Sequence, residues 1–312
     1  VGANAVLMTA DGVTWTWGST TVVEVTYTPV AGTDRIGTAV EASKLAFPAN
    51  GSASTVVVAT AWNWPDALGG AALAGAANGP ILLTGKDTLP EAVRTEIARL
   101  GATTVYVLGG TAAVSTGVET ALKAIPGVTT VRRLDGDDRY ETARKVAAEV
   151  RVLRGAVGTA FVATGANFPD ALGASLISAN KRWPIYLVRP TGPDATLTSA
   201  MKAAGVTSVV ILGGTGVIDA PAEATFAGQF ASVTRVGGAD RYDTARQVAT
   251  YGVESGMSWD RLAFATGADF PDALAGGVLQ GRSGSVMLLT RPDVLYDGAW
   301  TTLQANRGTI TE

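Results

Sequence analysis

The sequence predicts an α/β protein in which three similar parallel-sheet lobes follow a short β segment. The first observation is a hexamer that occurs three times, as NWPDAL, NFPDAL and DFPDAL, with its prolines at positions 65, 169 and 271. The second is the alternation of short β-branched runs with longer stretches of helical period. The third is that these runs are apolar throughout, which is typical of parallel strands covered by helices on both faces.

Residues 1–28 carry a different pattern from the rest of the chain. Apolar and polar residues alternate around Asp11-Gly12, which predicts a hairpin, and TTVVEVTYTPV alternates again as a strand. We interpret this stretch as a β segment that ends a preceding β-domain. No basic stretch followed by an apolar run stands at its start, so we expect that an export signal was removed or was never present.

Three repeats follow, because further landmarks share the spacing of the hexamer. The landmarks are GTDRIGTA, GDDRYETA and GADRYDTA, then PILLT, PIYLV and VMLLT, and finally VLGG and ILGG in the first two copies. A fixed period predicts repeated structural units, which we assign to 29–132, 133–234 and 235–312. The third unit is expected to be truncated, because it stops at NRGTITE where the others continue into the Gly-Gly strand.

Within the first repeat, strands and helices alternate as in a parallel α/β fold with right-handed crossovers. We expect the same order in the other two repeats as far as each extends. The predicted elements are a helix over 35–45, a strand over 55–60, a helix over 65–77, a strand over 80–84, a helix over 90–100, a strand over 104–110 and a helix over 115–125.

The composition excludes several classes of function. The chain contains no histidine and no cysteine, which removes Ser-His and Cys-His nucleophiles and the usual zinc ligands. No cofactor or metal is predicted, because the glycine pairs lack the spacing of a phosphate-binding loop. The net charge of −3 provides no basic field for nucleic acid. The longest low-polarity run, 67–84, is broken by Asn78, Gly79 and Pro80, so no membrane insertion is expected.

The Asp-Arg pair of each repeat is the first candidate site. Asp138 with Glu141, and Asp240 with Asp243, have the spacing of the N-cap and N3 residues of a helix, which gives the aspartates a structural role. The arginine that follows is in the first turn, where a cation opposes the helix dipole by about 0.3 to 1 kcal/mol. Something must therefore compensate the charge of each arginine.

Two explanations remain open for that compensation. One is an ion pair with the aspartate of a hexamer, within a repeat or between repeats. The other is an anionic ligand that the guanidinium binds with two donors. The residues concerned are Arg35, Arg139 and Arg241, and the hexamer aspartates Asp66, Asp170 and Asp272.

The hexamer also has two interpretations. Its proline suits the first position of a helix, its aspartate favours the positive end of the dipole, and its aromatic residue, Trp64, Phe168 or Phe270, can act as a hydrophobic staple. Alternatively, these helix starts lie at the carboxyl ends of strands and form the rim of a crevice that suits anions. The Gly-Gly pairs indicate a tight turn, and the PILLT-like runs indicate buried strands.

Together RLDGDDRYETA, ATGANFPDAL, the PILL-like strand and the VxxLGG strand resemble the cell wall binding repeat 2 family. Members usually carry three tandem copies on secreted proteins of Gram-positive bacteria. The resemblance implies Rossmann-like modules in a pseudo-trimer, located at the cell wall or cell surface. It also implies noncovalent binding of an anionic wall polysaccharide or a teichoic-acid-like polymer.

The family's recognition elements, carried over by position, are the Asp-Arg pairs and the PILL-like strands. The sequence departs from the family pattern at Pro29 and Ile36-Gly37 in the first copy, and at Ser285-Val286 in the third. The candidate ligand-binding residues are Asp34, Arg35, Asp138, Arg139, Asp240, Arg241, Asp66, Asp170, Asp272, Ile81, Leu82, Leu83, Ile185, Tyr186, Leu187, Met287, Leu288 and Leu289.

The leading hypothesis is an adhesion module without catalysis, in which three weak sites bind one repeating polyanion. Linked sites can raise overall affinity about 10² to 10⁴-fold without new contacts. A surface-layer protein that self-associates through its repeats is the first alternative. An enzyme that acts on a wall sugar or phosphosugar is the second, although it predicts one differentiated site rather than three similar ones.

Overall fold

The computed structural model describes residues 7–9, 12–16, 22–25, 28–63, 65–189 and 191–311. At its start, β1 (Leu7–Thr9), β2 (Gly12–Thr16) and β3 (Val22–Val25) form an antiparallel sheet in the order β1-β2-β3. This sheet confirms the predicted β segment and hairpin, although Asp11 lies outside the described residues. That the segment ends a preceding β-domain stays a prediction.

The rest of the chain forms three lobes. The first lobe consists of α1 (Arg35–Ala46), β4 (Thr55–Thr60), α2 (Gly70–Ala77), β5 (Ile81–Thr84), α3 (Glu91–Leu100), β6 (Thr104–Leu108), α4 (Thr116–Lys123) and β7 (Thr130–Leu134). The second consists of α5 (Arg139–Arg154), β8 (Gly158–Thr164), α6 (Pro169–Gly173), α7 (Ser175–Lys181), β9 (Ile185–Val188), α8 (Ala195–Ala203), β10 (Val206–Leu212), α9 (Ala220–Ala227) and β11 (Ser232–Val236). The third consists of α10 (Arg241–Glu254), β12 (Ser258–Thr266), α11 (Pro271–Ser283), β13 (Ser285–Thr290) and α12 (Asp297–Asn306).

Each lobe has a parallel sheet. The strand orders are β5-β4-β6-β7 in the first lobe, β9-β8-β10-β11 in the second and β12-β13 in the third. Strands β4 and β8 are central and almost fully buried, as their continuous apolar sequences predict. The α/β class and the parallel sheets are therefore confirmed.

Two details of the first lobe differ from the sequence prediction. Its hexamer helix begins at Gly70 rather than at Pro65, and residues 65–69 form turns. Strand β7 was missed, because TVRRL is only partly buried and its two arginines hide the strand pattern. Since β7 pairs with β6, the sequence boundary between 132 and 133 lies inside this edge strand.

The lobes close into a ring around three central helices. Three helices pack against one another at the centre: α2, which follows the first hexamer, α7, which follows the second, and α11, which begins within the third. The Asp-Arg helix of each lobe packs on a strand of its own lobe and on a hexamer helix of the preceding lobe, as α5 on α2, α10 on α6 and α1 on α11. The contact of α1 with α11 joins the first and third lobes, so the predicted pseudo-trimer is confirmed.

Small residues allow the close approach of the central helices. A Cβ on Gly75 of α2 would lie 1.9 Å from the carbonyl oxygen of Ala179 in α7. A Cβ on Gly277 of α11 would lie 1.9 Å from Oγ of Ser175. One large hydrophobic core runs through this centre and all three lobes, and smaller cores lie beneath the outer helices of the first two lobes. Among the described helices, none has the length and apolar character needed to cross a membrane.

Candidate functional site

The candidate site begins where the first strand of each lobe ends. The arginine of each Asp-Arg pair extends from the first turn of its helix to this strand end, where its Nη1 donates a hydrogen bond to a backbone carbonyl. All three arginines are half-buried. The bonds join Arg35 to Ala61 at 3.0 Å, Arg139 to Gly165 at 2.8 Å and Arg241 to Gly267 at 2.8 Å.

The aspartates beside these arginines are N-caps, as predicted for Asp138 and Asp240, and Asp34 has the same role. Their Oδ1 atoms accept backbone N–H groups of the first helical turn: that of Gly37 at 2.7 Å for Asp34, of Glu141 at 2.8 Å for Asp138, and of Asp243 at 2.9 Å for Asp240. The acidic residues at N3 form a variant of the capping box, because Glu141 accepts the N–H of Asp137 and Asp243 that of Ala239, in each case the residue before the N-cap. Helix capping thus accounts for one oxygen of each aspartate.

Each hexamer aspartate faces the Asp-Arg helix of the next lobe. The hydroxyl of Thr142 donates a hydrogen bond to the carboxylate of Asp66, and the positive charge of Arg139 attracts that carboxylate. In the same way, Thr244 donates a hydrogen bond to the carboxylate of Asp170, and the positive charge of Arg241 attracts it. Burial raises the pKa of Asp66 and of Asp170, and the threonine and the arginine oppose that rise only in part.

The third junction lies between the third and first lobes. Burial raises the pKa of Asp272, against the opposing charge of Arg35, and the nearby Asp269 raises it further. Arg35 makes its ion pair with Asp269, at 2.9 Å, rather than with Asp272. In the part of the chain that the structure describes, Arg241 has no carboxylate oxygen within 4.0 Å. For Arg35 and Arg241, the predicted direct ion pair with Asp272 or Asp170 is therefore replaced by a longer-range attraction between lobes.

Aromatic rings border the arginines. The guanidinium of Arg35 lies 5.0 Å from the ring centre of Trp62, which is 65% exposed. The guanidinium of Arg241 lies 5.8 Å from the ring of Phe168, which in turn meets Phe270 edge-on at 6.3 Å. Such cation–π contacts contribute about 0.5 to 1 kcal/mol at exposed positions. Trp64, the aromatic residue of the first hexamer, lies outside the described residues.

The Gly-Gly pairs form tight turns, as one interpretation predicted. Gly109 and Gly213 have φ of 88° and 93°, and a Cβ on either would lie 2.4 Å from Oδ2 of Asp66 or Asp170. The absence of a side chain lets the turn close over the hexamer aspartate. Nη1 of Arg133 donates a hydrogen bond to the carbonyl of Gly109 at 2.7 Å, and Nη1 of Arg235 donates one to the carbonyl of Gly213 at 2.8 Å.

The PILL-like strands require a correction. Their nine candidate side chains are at most 2% exposed and pack in the core, because each strand is covered on both faces. Side chains buried in this way do not contact a polymer in solution, so these strands support the site rather than line it. The residues are Ile81, Leu82 and Leu83, Ile185, Tyr186 and Leu187, and Met287, Leu288 and Leu289.

The sequence interpretation missed two arginines that immediately follow these strands. Arg189 binds Oδ2 of Asp138 at 2.5 Å, and its guanidinium lies 4.2 Å from the ring centre of Tyr140. Arg291 lies 5.7 Å from the ring centre of Tyr242. The first lobe has Ile36 where the others have these tyrosines. The signal was the Arg-Pro dipeptide after the second and third apolar strands, which the first copy lacks.

The three junctions therefore share one arrangement, in which an arginine, a capping aspartate and a half-buried carboxylate lie near a strand end. Guanidinium donors and carboxylate acceptors that lie close together can bind a saccharide that carries both hydroxyl and anionic groups. Among the described residues, no three acidic side chains are grouped so as to hold a metal ion.

Comparison with known proteins gave a family and several relatives. The model of the family described as "Cell wall binding domain 2 (CWB2)" matches residues 30–119, 133–223 and 235–310. The chain is similar to N-acetylmuramoyl-L-alanine amidase LytC of Bacillus subtilis (strain 168), with 31% identity over 270 residues, which is 86% of this chain and 51% of LytC. It is also similar to the Amidase enhancer of the same organism, with 26% identity over 264 residues, 84% of this chain and 34% of that protein.

Two solved structures share the fold. Cwp6 from Clostridium difficile superposes with a TM-score of 0.83 and 25% identity, over 92% of this chain and 45% of Cwp6. Cwp8 from Clostridium difficile superposes with a TM-score of 0.78 and 28% identity, over 88% of this chain and 46% of Cwp8. The chain spans about half or less of the length of each of these four proteins.

Proposed function

Because this chain belongs to the Cell wall binding domain 2 family, we propose that it attaches noncovalently to the bacterial cell wall by binding one anionic wall polymer at its three lobe junctions. The family is one of cell wall binding, so the chain associates with the cell surface. The proposal includes four further points: the polymer is anionic, it binds at several sites, the protein is secreted from a Gram-positive cell, and this chain catalyses no reaction.

One observation carries the proposal. At each junction a half-buried arginine donates a hydrogen bond from Nη1 to a backbone carbonyl at the end of a strand. At the junction of the second and third lobes, the charge of Arg241 acts on the carboxylate of Asp170 without a close ion pair. A partly desolvated guanidinium binds an anionic group more strongly than one in bulk water, because the local dielectric constant is lower. The same constellation occurs three times around the ring, which suits a polymer of repeating units.

Multivalency supplies the affinity that a single junction would lack. Once one junction holds the polymer, the others meet further units at high effective concentration, and overall affinity can rise about 10² to 10⁴-fold. The net charge of −3 repels a polyanion at long range, so local arginines must provide the attraction. The interaction should accordingly weaken as salt is added.

Retention on purified cell walls tests the proposal. The chain should bind walls at low salt and be released as the salt concentration rises, and walls stripped of their anionic polymers should not retain it. Arg241→Ala should weaken retention, whereas Arg94→Ala, on the outer helix α3, should leave it unchanged. Retention that ignores salt and the Arg241 change would contradict the electrostatic mechanism.

Self-association through the repeats is the alternative that the same preparation can test. A chain that forms assemblies in sedimentation experiments but does not bind walls would favour a surface-layer role. Release of sugar or phosphosugar from a wall fragment, abolished by Asp170→Asn alone, would favour an enzyme. The proposed function predicts neither outcome.

A further inference from the structure

Trp62 distinguishes the first lobe from the other two at the rim of its junction. It directly follows Ala61, whose carbonyl accepts the hydrogen bond from Nη1 of Arg35. Alanine occupies the same position in the other lobes, as Ala166 and Ala268. In each lobe the backbone N–H at this position donates to the hydroxyl of the threonine two residues earlier, at 3.1 to 3.3 Å. The turn is therefore held in the same way in all three lobes, and only the first lobe adds a large side chain to it.

The exposure of this tryptophan follows from its place in the turn. Trp62 is 65% exposed, and Ala166 and Ala268 are exposed at the equivalent positions. Both alanines lie at junctions where the Gly-Gly turn of the preceding lobe closes over the hexamer aspartate. The position is thus open to solvent in every lobe, whether or not such a turn is beside it. The guanidinium of Arg35 contacts the ring at 5.0 Å from its centre and leaves much of the indole in water.

The junction between the third and first lobes lacks an arginine that the other two junctions have. Gly85 follows the apolar strand where the other lobes have Arg189 and Arg291. The arginine that remains, Arg35, donates from Nη2 to Asp269 at 2.9 Å, so a carboxylate already neutralises part of its charge. This junction should therefore attract an anionic group less strongly than the others, and it presents an exposed indole instead.

We propose that Trp62 is a stacking platform for a pyranose ring of the wall polymer, so that this junction binds the saccharide through an apolar face rather than through its charge. The inference rests on the proposed function, because it gives the chemistry by which one of the three junctions binds. A pyranose ring carries a patch of C–H groups, and an indole that covers this patch removes apolar surface from water. The partly exposed pair of Arg35 and Asp269 offers donors and acceptors to the hydroxyl groups at the edge of the same ring.

The surroundings of the indole favour a saccharide over a protein partner. Its neighbours are the exposed Asn63 in the chain and the pair of Arg35 and Asp269 in space. A stable protein interface buries about 800 Å² on each partner around an apolar centre, which one aromatic residue among polar groups does not supply. A small ligand requires less, because an aromatic face with a few polar groups at its border is enough to orient it.

Retention on purified cell walls, measured across a salt series, tests the role of Trp62. Trp62→Ala should weaken retention about three- to tenfold, and Trp62→Phe should restore most of it, because phenylalanine also offers an aromatic face. The loss should be similar at low and high salt, since salt does not screen an apolar contact, whereas the loss caused by Arg241→Ala should shrink as salt is added. Val152→Ala is the matched control, because Val152 is 72% exposed on α5, and it should leave retention unchanged.

The outcomes separate this inference from the proposed function. Trp62→Ala should keep the circular dichroism spectrum of the parent chain, because the side chain is exposed. Equal retention of Trp62→Ala and the parent would overturn the stacking role and leave wall attachment intact. A loss that disappears at high salt would also overturn it, since Trp62 would then act only by placing Arg35.

Two further results would contradict the inference. If Trp62→Ala abolished self-association in sedimentation experiments and left wall retention unchanged, the tryptophan would belong to a protein interface. A parent chain that walls do not retain at any salt concentration would contradict the proposed function and this inference with it.

Discussion

Arg35 and Asp269 form an ion pair at 2.9 Å, although 234 positions separate them in the sequence. The pair joins the first helix of the first lobe to the hexamer of the third, so it lies where the ring of lobes closes. Its side chains are 30% and 46% exposed, and solvent screens an ion pair of this kind. Such pairs contribute about 0.2 to 1 kcal/mol, so the apolar packing of α1 on α11 must provide most of the closure.

The small contribution of this pair can be measured. Asp269→Asn should lower the free energy of unfolding in urea by about 0.5 kcal/mol, because it removes one screened charge pair. Glu91→Gln is the matched control, since its contact with Arg94 lies within a single helix on the outer surface. A loss of more than about 2 kcal/mol would show that ring closure depends on the ion pair.

The turn over Asp170 should tolerate no side chain. Gly213→Ala adds a Cβ at 2.4 Å from Oδ2 of Asp170 and keeps a φ of 93° that alanine rarely adopts. We expect it to reduce the free energy of unfolding by about 2 to 4 kcal/mol, from strain and overpacking together.

Gly127→Ala separates the two causes, because Gly127 has the same φ of 93° with no atom within 4 Å of its Cβ position. Its cost should reflect backbone strain alone, about 1 to 2 kcal/mol. Equal losses for the two alanine variants would show that the contact with Asp170 adds nothing.

The centre of the ring should be equally sensitive to volume. Gly75→Ala places a methyl group 1.9 Å from the carbonyl oxygen of Ala179, so α2 and α7 must move apart at a cost of about 1 to 3 kcal/mol. Gly276→Ala is the control, because its Cβ would be 3.8 Å from Met287 and alanine favours a helix. Thermal unfolding should show a lower Tm for the first variant and no decrease for the second.

The hexamer aspartates should destabilise the fold as they ionise. Burial raises the folded-state pKa of Asp170 above its ordinary value of 3.8, so the folded state holds the proton more tightly than the unfolded state does. The resulting stabilisation is complete below pH 3.8 and is lost as the pH rises through the higher folded pKa. Asp170→Asn should thus gain stability relative to the parent chain as the pH rises from the ordinary value of 3.8 through the raised folded pKa.

Asp138→Asn provides the opposite case for the same measurement. Burial raises the pKa of Asp138, but the N–H of Glu141 and the guanidinium of Arg189 outweigh it and lower the pKa overall. Its stabilisation is present above pH 3.8 and is lost as the pH falls through the lower folded value. Asp138→Asn should therefore lose stability relative to the parent chain as pH rises. Identical pH dependence in both variants would contradict these assignments.

Arg189 and Arg291 should distinguish the second and third lobes from the first. If the polymer runs along the junctions, each arginine can donate to its anionic groups, since both guanidinia are exposed beside a tyrosine. Arg189→Ala or Arg291→Ala should weaken wall retention by about tenfold each, or roughly 1.4 kcal/mol. Arg151→Ala, on the outer part of α5, should not. Unchanged retention in both variants would remove these arginines from the binding surface.

Much of the fold followed from local patterns. The predicted strand 55–60 has the observed bounds, and the predicted helix 35–45 is one residue shorter than the observed helix α1. Both predictions succeeded because apolar β-branched runs and helical spacing are local signals. The missed strand β7 has the opposite character, since its partly buried arginines make it resemble a loop. It becomes a strand because β6 offers it a partner, which no local window contains.

The candidate site was predicted in part. The N-cap role of Asp138 and Asp240 was readable from the acidic residue three positions later. The wall-polymer role of the site residues stays a prediction. Arg189 was missed because its partners, Asp138 and Tyr140, lie in another segment and only the assembled lobe brings them together.

The sequence by itself determined the repeated α/β unit and its capped helices, because strand hydrophobicity and helix capping depend on residues within one or two turns of each other. The tertiary structure decided which lobe each arginine faces, how far each hexamer carboxylate is buried, and that the apolar PILL-like strands lie beneath the site. These properties depend on packing between lobes, where desolvation and side-chain volume act across segments about a hundred residues apart.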